Sequence, residues 1–316
     1  MIERTNPFKN IYSICNSGNS KEKISKLPEF PRYIDIELTN YCNFRCLMCP
    51  TGTSSAKRKK GMMDDSTYYK IINEIKPYKT PLRFIRWGEP SLHPKFLDYI
   101  KLAKSIGSIV HINTNGSKMD EEMMDELLKI PLDSIKFSFQ GIDRKTFKEM
   151  RNIDFYDSLI ECIKGLYTKR GNRKYPYIHV STTITYETEE QVKEFKENVS
   201  KFVDLVTVGR TVLEHVHPEN AKLSKEEMET FKILRQKESV IKKHHECPEV
   251  FDKLSINWDG SVSACCADYD NMMIVGNLEK NSLREIWTSE KMMFYREMLA
   301  NMKHDDLELC KMCYEY

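Results

Sequence analysis

Three cysteines near the start of the chain have the spacing of a metal-cluster loop. Cys42, Cys46 and Cys49 follow an apolar, strand-like run over 33–38 in the order CX3CX2C. A 4Fe–4S cluster has four irons and usually takes four thiolates. Three thiolates on one tight loop can hold three irons and leave the fourth open to bind a substrate or cofactor. A site of this kind does chemistry at its open iron and is not limited to passing electrons.

Zinc and disulfides are the two alternative interpretations of these cysteines. Structural zinc sites favour paired CX2C ligands and a closed set of four, and a disulfide needs an oxidising compartment. The chain starts without the apolar core of a signal peptide, and no apolar run approaches the ~18 residues of a membrane-spanning helix. We therefore expect a cytoplasmic protein whose ten cysteines serve metal ligation more than disulfide bonding.

Composition limits the class of protein. The 316 residues suit one large domain, or one large and one small. A hydrophobic content of 40% and a charged content of 30% allow an ordinary soluble core. A net charge of +2 gives no general reason to expect nucleic acid or a membrane as a partner.

Short apolar runs alternate with helical patterns through most of the chain. Strands are predicted at 33–38, 82–86, 109–113, 134–139, 177–184 and 205–208, and helices near 65–76, 94–106, 120–129, 156–169 and 188–202. This alternation predicts βαβ units and a parallel α/β sheet. The predicted organisation is an N-terminal arm at 1–30, a main unit at 31–215, a helical linker at 216–246 and a C-terminal tail at 247–316.

The cysteine triplet and the turn after the second strand carry a family resemblance. The CX3CX2C spacing resembles that of the radical S-adenosylmethionine (SAM) superfamily. The resemblance implies a partial (β/α)6 TIM-like barrel, with the chemistry at the carboxyl ends of its strands. It also implies that the open iron is chelated by the amino and carboxylate groups of SAM. One electron from the cluster then cleaves SAM to methionine and a 5′-deoxyadenosyl radical.

The resemblance assigns further residues to the SAM site. The turn Trp87-Gly88-Glu89-Pro90 is similar to the family's Gly-Gly-Glu-Pro turn, with Trp87 at the first glycine. In the family this turn binds the SAM amino group, so Gly88 and Glu89 are the matched residues, and a carboxylate is a strong acceptor for an ammonium. Met48 stands where many relatives have an aromatic residue near adenine, and its apolar, polarizable side chain can pack there.

Three other residues complete the expected SAM site. Asn115 lies in a turn similar to the family's Thr-Asn-Gly turn after the third strand. Ser138 ends the fourth strand and resembles a hydroxyl that contacts the ribose or carboxylate of SAM. Arg151 matches an arginine that pairs with the SAM carboxylate, for which a guanidinium fork is suited. A surface helix charge is the alternative interpretation of Arg151.

The tail has a second set of cysteines, Cys247, Cys265, Cys310 and Cys313. Four thiolates complete the coordination of a second 4Fe–4S cluster and leave no open iron. The pattern resembles the auxiliary-cluster tails called SPASM and Twitch. Because the sequence ends three residues after Cys313, we expect the shorter, single-cluster form. A zinc ribbon is the alternative, since two separated cysteines plus CX2C also suit zinc.

Cys266 directly follows Cys265, and two adjacent cysteines rarely ligate one metal equally well. We assign Cys265 as the ligand by its spacing. Cys266 is then either an inert buried thiol or a hydrogen-atom donor to a substrate radical, as the resemblance to epimerising relatives implies.

The expected reaction is hydrogen-atom abstraction from a small polar substrate of the sugar or aminocyclitol type, followed by oxidation or epimerisation. Maturation of a short ribosomally made peptide is the first alternative. A non-catalytic iron–sulfur or zinc protein for electron transfer or partner binding is the second. A flavodoxin- or ferredoxin-like protein is the expected electron donor. Candidate substrate contacts are Arg210, Glu214, His215, His217 and the basic run at 57–60.

Overall fold

One mixed sheet organises the molecule. The computed structural model describes residues 3–213, 215–237 and 246–313. Within them, nine strands form one sheet in the order β6-β5-β4-β3-β2-β1-β7-β8-β9. The strands are β1 Tyr33–Ile36, β2 Leu82–Phe84, β3 Val110–Thr114, β4 Ser134–Ser138, β5 Tyr177–Ile184, β6 Leu205–Arg210, β7 Lys253–Ile256, β8 Ser261–Ser263 and β9 Ile274–Asn277.

Strands β1 to β6 are parallel neighbours, and helices connect them as in an open (β/α)6 barrel. The helices are α1 Lys9–Cys15, α2 Ser20–Ser25, α3 Asp65–Ile75, α4 Phe96–Ser105, α5 Glu121–Lys129, α6 Arg144–Arg151, α7 Tyr156–Arg170, α8 Glu189–Val199, α9 Lys225–Lys237, α10 Glu249–Asp252, α11 Leu283–Trp287 and α12 Glu290–Ala300. This arrangement confirms the predicted α/β class with a partial barrel.

Local sequence explains where these helices begin and how they pack. Asp64, Asp120 and Thr188 accept backbone N–H bonds as caps at the starts of α3, α5 and α8. Helix α3 then buries four side chains at helical spacing, from Tyr68 to Ile75. The parallel strands contribute buried apolar side chains to the core, among them Ile34, Phe84 and Ile112. None of the described helices is both long and apolar enough to cross a membrane.

The structure adds elements that the sequence patterns did not predict. The 1–30 segment is an arm without predicted structure, yet it contains α1 and α2, and the α1 residue Cys15 is buried. Helix α6 lies in a segment where no helix is predicted. Helix α9 lies in the predicted helical linker, and residues 238–245 of that linker lie outside the described residues.

The tail continues the barrel sheet. Strand β7 pairs in parallel with β1, with Ile34 opposite Leu254 and Ile36 opposite Ile256. Strand β8 returns antiparallel to β7 after the turn at Asp259 and Gly260, and β9 pairs with β8. The pairing of β7 with β1 was not predicted from the sequence. Strand β1 therefore lies between the barrel and the tail.

Candidate active site

The cysteine triplet lies on a compact loop after β1. The Cys49 N–H donates to the Cys46 carbonyl at 3.1 Å, and the Thr53 N–H donates to the Cys49 carbonyl at 2.9 Å. Gly52 packs directly on this turn, because a Cβ there would lie 2.6 Å from the Cys46 carbonyl oxygen. The loop is thereby folded tightly enough to direct its three thiols into one space.

That space is a cavity of about 320 Å³ at the carboxyl ends of the barrel strands, which we call the barrel cavity. Its walls contain all three triplet cysteines and all six residues assigned to SAM from the sequence. They are Cys42, Cys46, Met48, Cys49, Gly88, Glu89, Asn115, Ser138 and Arg151. The structure thus brings together residues from five separate segments of the chain, and their roles toward SAM stay predictions.

Glu89 is buried, with 2% of its surface exposed. Its Oε1 accepts hydrogen bonds from the hydroxyls of Ser91 at 2.6 Å and Thr114 at 2.8 Å, and its Oε2 accepts the Asn115 N–H at 2.7 Å. Burial raises the pKa of Glu89, and these hydrogen bonds partly oppose that shift. The carboxylate is therefore held in a fixed orientation in the cavity wall.

Gly88 is required by a close backbone approach. A Cβ at this position would lie 2.0 Å from the Thr39 carbonyl oxygen and 2.8 Å from the Asn40 Cα. The turn after β2 therefore rests directly on the segment that leads from β1 into the cysteine loop. Its glycine is explained by packing, whatever it contributes to SAM.

Asn115 connects the third strand to the cysteine loop. Its Nδ2 lies 3.0 Å from Asn43 Oδ1 and 3.9 Å from Cys42 Sγ, which is a weak contact typical of sulfur. Its Oδ1 accepts the Ser117 N–H at 2.9 Å, so the side chain is fixed on both sides.

Arg151 provides the clearest test of whether the site suits SAM. The residue is 5% exposed, and its Nη1 lies 3.4 Å from Cys46 Sγ. The rings of Phe44 and Phe147 flank the guanidinium at 5.5 and 5.7 Å. Its buried Nε and Nη2 atoms have no hydrogen-bond partner among the described residues. Buried donors of this kind need an acceptor, and the SAM carboxylate is the acceptor that the family resemblance implies.

The triplet thiols are suited to a cluster that displaces their protons. Burial raises the pKa of Cys42 to about 12 and that of Cys49 to about 11. Without a cluster, both side chains are therefore neutral thiols near neutral pH. Iron binding requires thiolates and releases these protons, so loading of the site is coupled to pH.

A second, smaller cavity lies beneath the tail, and we call it the tail cavity. It is lined by the four predicted tail cysteines together with Cys266 and by apolar side chains such as Leu299 and Leu309. The cysteines are Cys247, Cys265, Cys310 and Cys313. The four thiols of a complete coordination set thus surround one apolar space. This donor set fits the second cluster that was predicted.

Cys266 lies in the tail cavity and does not line the barrel cavity. Lys253 Nζ donates to its Sγ at 3.1 Å, and its Sγ lies 3.4 Å from Glu249 Oε2. Hydrogen bonding with Cys265, together with the Lys253 charge, lowers the pKa of Cys266. A role for Cys266 as hydrogen-atom donor stays a prediction, and its position beside the tail thiols does not favour that role.

His215 lies in the walls of both cavities. Its ring packs 5.4 Å from that of Tyr269 and 6.3 Å from that of Trp87, centroid to centroid. His217 hydrogen-bonds the Tyr269 hydroxyl through Nε2 at 2.8 Å. Trp87, which replaces the first glycine of the family turn, also packs 5.9 Å from the ring of Tyr269 in the tail. We did not predict this contact, although the unusual tryptophan in the sequence could have indicated it.

The structure places the other candidate substrate contacts in different environments. Arg210 lines the barrel cavity, and Glu214 lies outside the described residues. In the basic run, the side chain of Arg58 is 5% exposed and pairs with Glu37 at 2.5 Å, so it is not a free surface cation. The barrel cavity is also lined by Gln140 and Thr183, which no sequence motif marks.

Comparison with known proteins agrees with this geometry. Residues 36–209 match the family model of the radical SAM superfamily, and residues 247–314 match that of the SPASM iron–sulfur cluster-binding domain. A curated relative from Pyrococcus furiosus is the tungsten-containing aldehyde ferredoxin oxidoreductase cofactor-modifying protein. It is 26% identical over 314 residues, covering 89% of this chain and 87% of its own.

Two solved structures share the fold. BtrN in complex with AdoMet and 2-DOIA has a TM-score of 0.58 and 17% identity, covering 89% of this chain and 92% of its own. Streptococcus suis SuiB bound to the precursor peptide SuiA has a TM-score of 0.66 and 16% identity, covering 98% of this chain and 76% of its own.

Proposed function

The chain belongs to the radical SAM superfamily, and we propose that it abstracts a hydrogen atom from a small polar substrate of the sugar or aminocyclitol type and then oxidises or epimerises it. The main unit binds SAM and a 4Fe–4S cluster, and the tail binds an auxiliary iron–sulfur cluster. With these groups bound, one electron cleaves SAM to methionine and a 5′-deoxyadenosyl radical that removes the hydrogen atom.

The residues of this chain have separate tasks in that reaction. Cys42, Cys46 and Cys49 hold the cluster that carries the open iron. Glu89 accepts the SAM ammonium, and the free donors of Arg151 bind the SAM carboxylate as a fork. Because both side chains are buried and fixed before SAM arrives, little reorganisation accompanies binding.

The shared cavity is the observation that carries the proposal. The walls that hold the SAM residues continue along the ends of β4 to β6, where the polar side chains of Gln140, Thr183 and Arg210 face the same space. The Thr183 hydroxyl hydrogen-bonds Gln140 Oε1 and lies 2.9 Å from the Thr211 hydroxyl. Several fixed polar groups at this end of the barrel cavity support a hydroxyl-rich substrate.

The tail favours oxidation over epimerisation. Four thiols around the tail cavity suit a cluster with no open iron, and such a cluster can accept an electron from the substrate radical. His215 belongs to both cavity walls, so only a thin layer of protein separates the two sites. Cys266 borders the tail cavity, which supports a structural role for its thiol more than hydrogen donation to a substrate.

The Pyrococcus furiosus relative also supports a small-molecule substrate, because its name describes the modification of a cofactor. We further infer a cytoplasmic location, a flavodoxin- or ferredoxin-like electron donor and no nucleic-acid partner. The reduced thiols needed for two clusters and the net charge of +2 support these inferences.

Peptide maturation is the second candidate function. It is favoured by the likeness to SuiB, which covers 98% of this chain and was solved with a precursor peptide. The two functions differ in the partner that reaches the barrel cavity. Anaerobic turnover with candidate sugars, aminocyclitols and short peptides, followed by chromatography and mass spectrometry, distinguishes them by which mixture yields a product. An oxidised or crosslinked product is two mass units lighter, whereas an epimer has the same mass and a different retention time.

The experiment that tests the proposal is anaerobic reconstitution of the whole chain and of its Cys42→Ala/Cys46→Ala/Cys49→Ala variant. We expect about eight irons in the unmodified chain and about four in the variant. We also expect 5′-deoxyadenosine from SAM and dithionite with the unmodified chain alone. Iron binding without any SAM cleavage would contradict the proposed reaction.

A further inference from the structure

Arg86 connects the SAM turn to the tail. The residue immediately precedes Trp87 and Gly88, and its side chain is fully buried, with 0% exposure. Its Nη1 donates to the Cys265 carbonyl at 3.1 Å, and its Nη2 donates to the Asp268 carbonyl at 2.8 Å. The Arg86 side chain thus connects the turn that carries Glu89 to the segment that carries Cys265, a proposed ligand of the auxiliary cluster.

The backbone of Arg86 is unusual. Its φ of +113° lies in a region that residues other than glycine rarely adopt. Such conformations cost free energy and persist where the surrounding structure fixes them. Here the two carbonyl hydrogen bonds hold the far end of the side chain, and the close approach of Gly88 to Thr39 holds the following backbone. Arg86 is therefore fixed at both ends.

The segment that receives Arg86 is itself well ordered. The Asp268 carboxylate accepts the Ser263 hydroxyl at 2.7 Å and the N–H groups of Met272 at 2.8 Å and Met273 at 2.9 Å. Two hydrogen bonds from Arg86, to the carbonyls of Cys265 and Asp268, connect this loop to the barrel. The orientation of Cys265 toward the tail cavity is set by these contacts.

The carboxylates near Arg86 neutralise the charge of its guanidinium only weakly. Its nearest carboxylate is Glu37, whose Oε2 lies 3.9 Å from Nε, but Arg58 already binds Glu37 at 2.5 and 3.1 Å. The Asp268 carboxylate is bound by its own loop. A buried cation next to Cys265 favours the more negative, reduced form of a cluster held there, because charge and hydrogen bonds tune cluster potentials.

We propose that Arg86 is a positioning residue that fixes the auxiliary-cluster loop against the SAM turn and raises the reduction potential of the auxiliary cluster. This inference rests on the proposed function, in which Cys265 is a ligand of that cluster. A higher reduction potential makes electron transfer from the substrate radical to the auxiliary cluster more favourable. No bond is made or broken at Arg86 itself.

The test is a redox titration of the anaerobically reconstituted full chain, followed by electron paramagnetic resonance. The triple Cys→Ala variant, which retains the tail set, identifies the auxiliary signal. In Arg86→Gln we expect about a tenfold lower ratio of reduced to oxidised auxiliary cluster at a fixed potential, or ~59 mV for one electron. Arg86→Lys keeps the charge and should shift the ratio less. The SAM-site cluster should keep its potential in both.

Arg284→Gln is the matched control, because it removes the same charge at a side chain that is 61% exposed, and it should leave both potentials unchanged. If Arg86→Gln loses only the auxiliary irons while Arg86→Lys retains them, the positioning role is supported. An unchanged auxiliary potential in Arg86→Gln would overturn the inference, as would loss of both clusters in Arg86→Lys. Because these readouts need no SAM cleavage, failure of the proposed reaction would be seen separately.

Discussion

The guanidinium of Arg151 lies 3.4 Å from the sulfur of Cys46, and the two residues come from elements about 100 positions apart in the chain. A backbone bond supports the contact, since the Leu47 N–H donates to the Met150 carbonyl at 2.8 Å. These two contacts connect the cluster loop to helix α6. The remaining donors of Arg151 are left for a ligand in the barrel cavity.

Replacing Arg151 tests this arrangement. Arg151→Lys keeps the charge but loses the fork, and we expect SAM affinity to fall about tenfold or more, since hydrogen bonds to charged groups contribute about 1.5–3 kcal/mol. Calorimetric titration of SAM into the reconstituted chain measures the change. Arg144→Lys, on the exposed face of the same helix, should bind SAM normally. Equal affinities for the two variants would contradict the role of Arg151.

Glu89→Gln should lower the affinity for SAM by about tenfold to a hundredfold, because a neutral amide is a poorer hydrogen-bond acceptor for an ammonium than a carboxylate is. A SAM analogue without the amino group is the control and should bind both proteins equally. Burial raises the pKa of Glu89, so SAM affinity of the unmodified chain should fall as the pH drops through that raised value. The Gln variant should lack this pH dependence, and a retained dependence would assign it to another group.

Gly88→Ala should destabilise the fold by about 1–3 kcal/mol or more, because its Cβ would meet the Thr39 carbonyl at 2.0 Å. Gly209→Ala is the matched control, since the nearest atom to a Cβ there is a Thr183 methyl at 3.6 Å, an ordinary contact. Thermal unfolding of both variants measures the difference. Similar midpoints for the two would show that the turn after β2 can move away from β1.

Asp35→Asn should cost about 3–5 kcal/mol of stability, because it leaves the Arg83 charge in the interior without its anion. Asp35 is fully buried and accepts Arg83 Nε at 2.6 Å and Nη2 at 2.9 Å. Asp154→Asn is the control, because the same two-bond pairing with Arg144 is exposed there and should contribute little. Urea unfolding under anaerobic conditions measures both variants.

The same pair predicts a pH dependence. Burial alone would raise the pKa of Asp35, but the Arg83 and Lys253 charges outweigh it and hold the pKa below its ordinary value. A lowered folded-state pKa gives stability that is present above the unfolded value of ~3.9 and is lost as the pH falls through the folded value. The stability difference between the unmodified chain and Asp35→Asn should therefore shrink below about pH 4. A constant difference would contradict this ionisation.

Replacing either of the two adjacent cysteines of the tail should have opposite effects on the auxiliary cluster. Cys265→Ala should lose the auxiliary irons, whereas Cys266→Ala should retain them, because the Cys266 thiol is engaged by Lys253 at 3.1 Å. Iron and sulfide analysis after reconstitution distinguishes the two, with the triplet irons as an internal reference. Loss of iron in the Cys266 variant alone would reverse the assignment.

Local patterns allowed much of the fold to be predicted. The run from Tyr177 to Ile184 forms β5 over the predicted residues, and α5 lies within the helix predicted near 120–129. The pairing of β7 with β1 was not predictable, because no local pattern records which distant edge a strand joins. Arg86 was missed for a similar reason, since its partners are backbone carbonyls 179 and 182 residues away that leave no trace in side-chain identity.

The position of β1 in the sheet has a practical consequence for truncation of this protein or for exchange of its tail. Strand β1 has β2 on one side and β7 on the other, so deleting the tail would expose a four-residue hydrogen-bonding edge directly beneath the cysteine loop. Exposed edges of this kind pair with other chains. A tail transplanted from a relative would need to keep Ile34 opposite Leu254, or the first metal loop would be displaced together with the second.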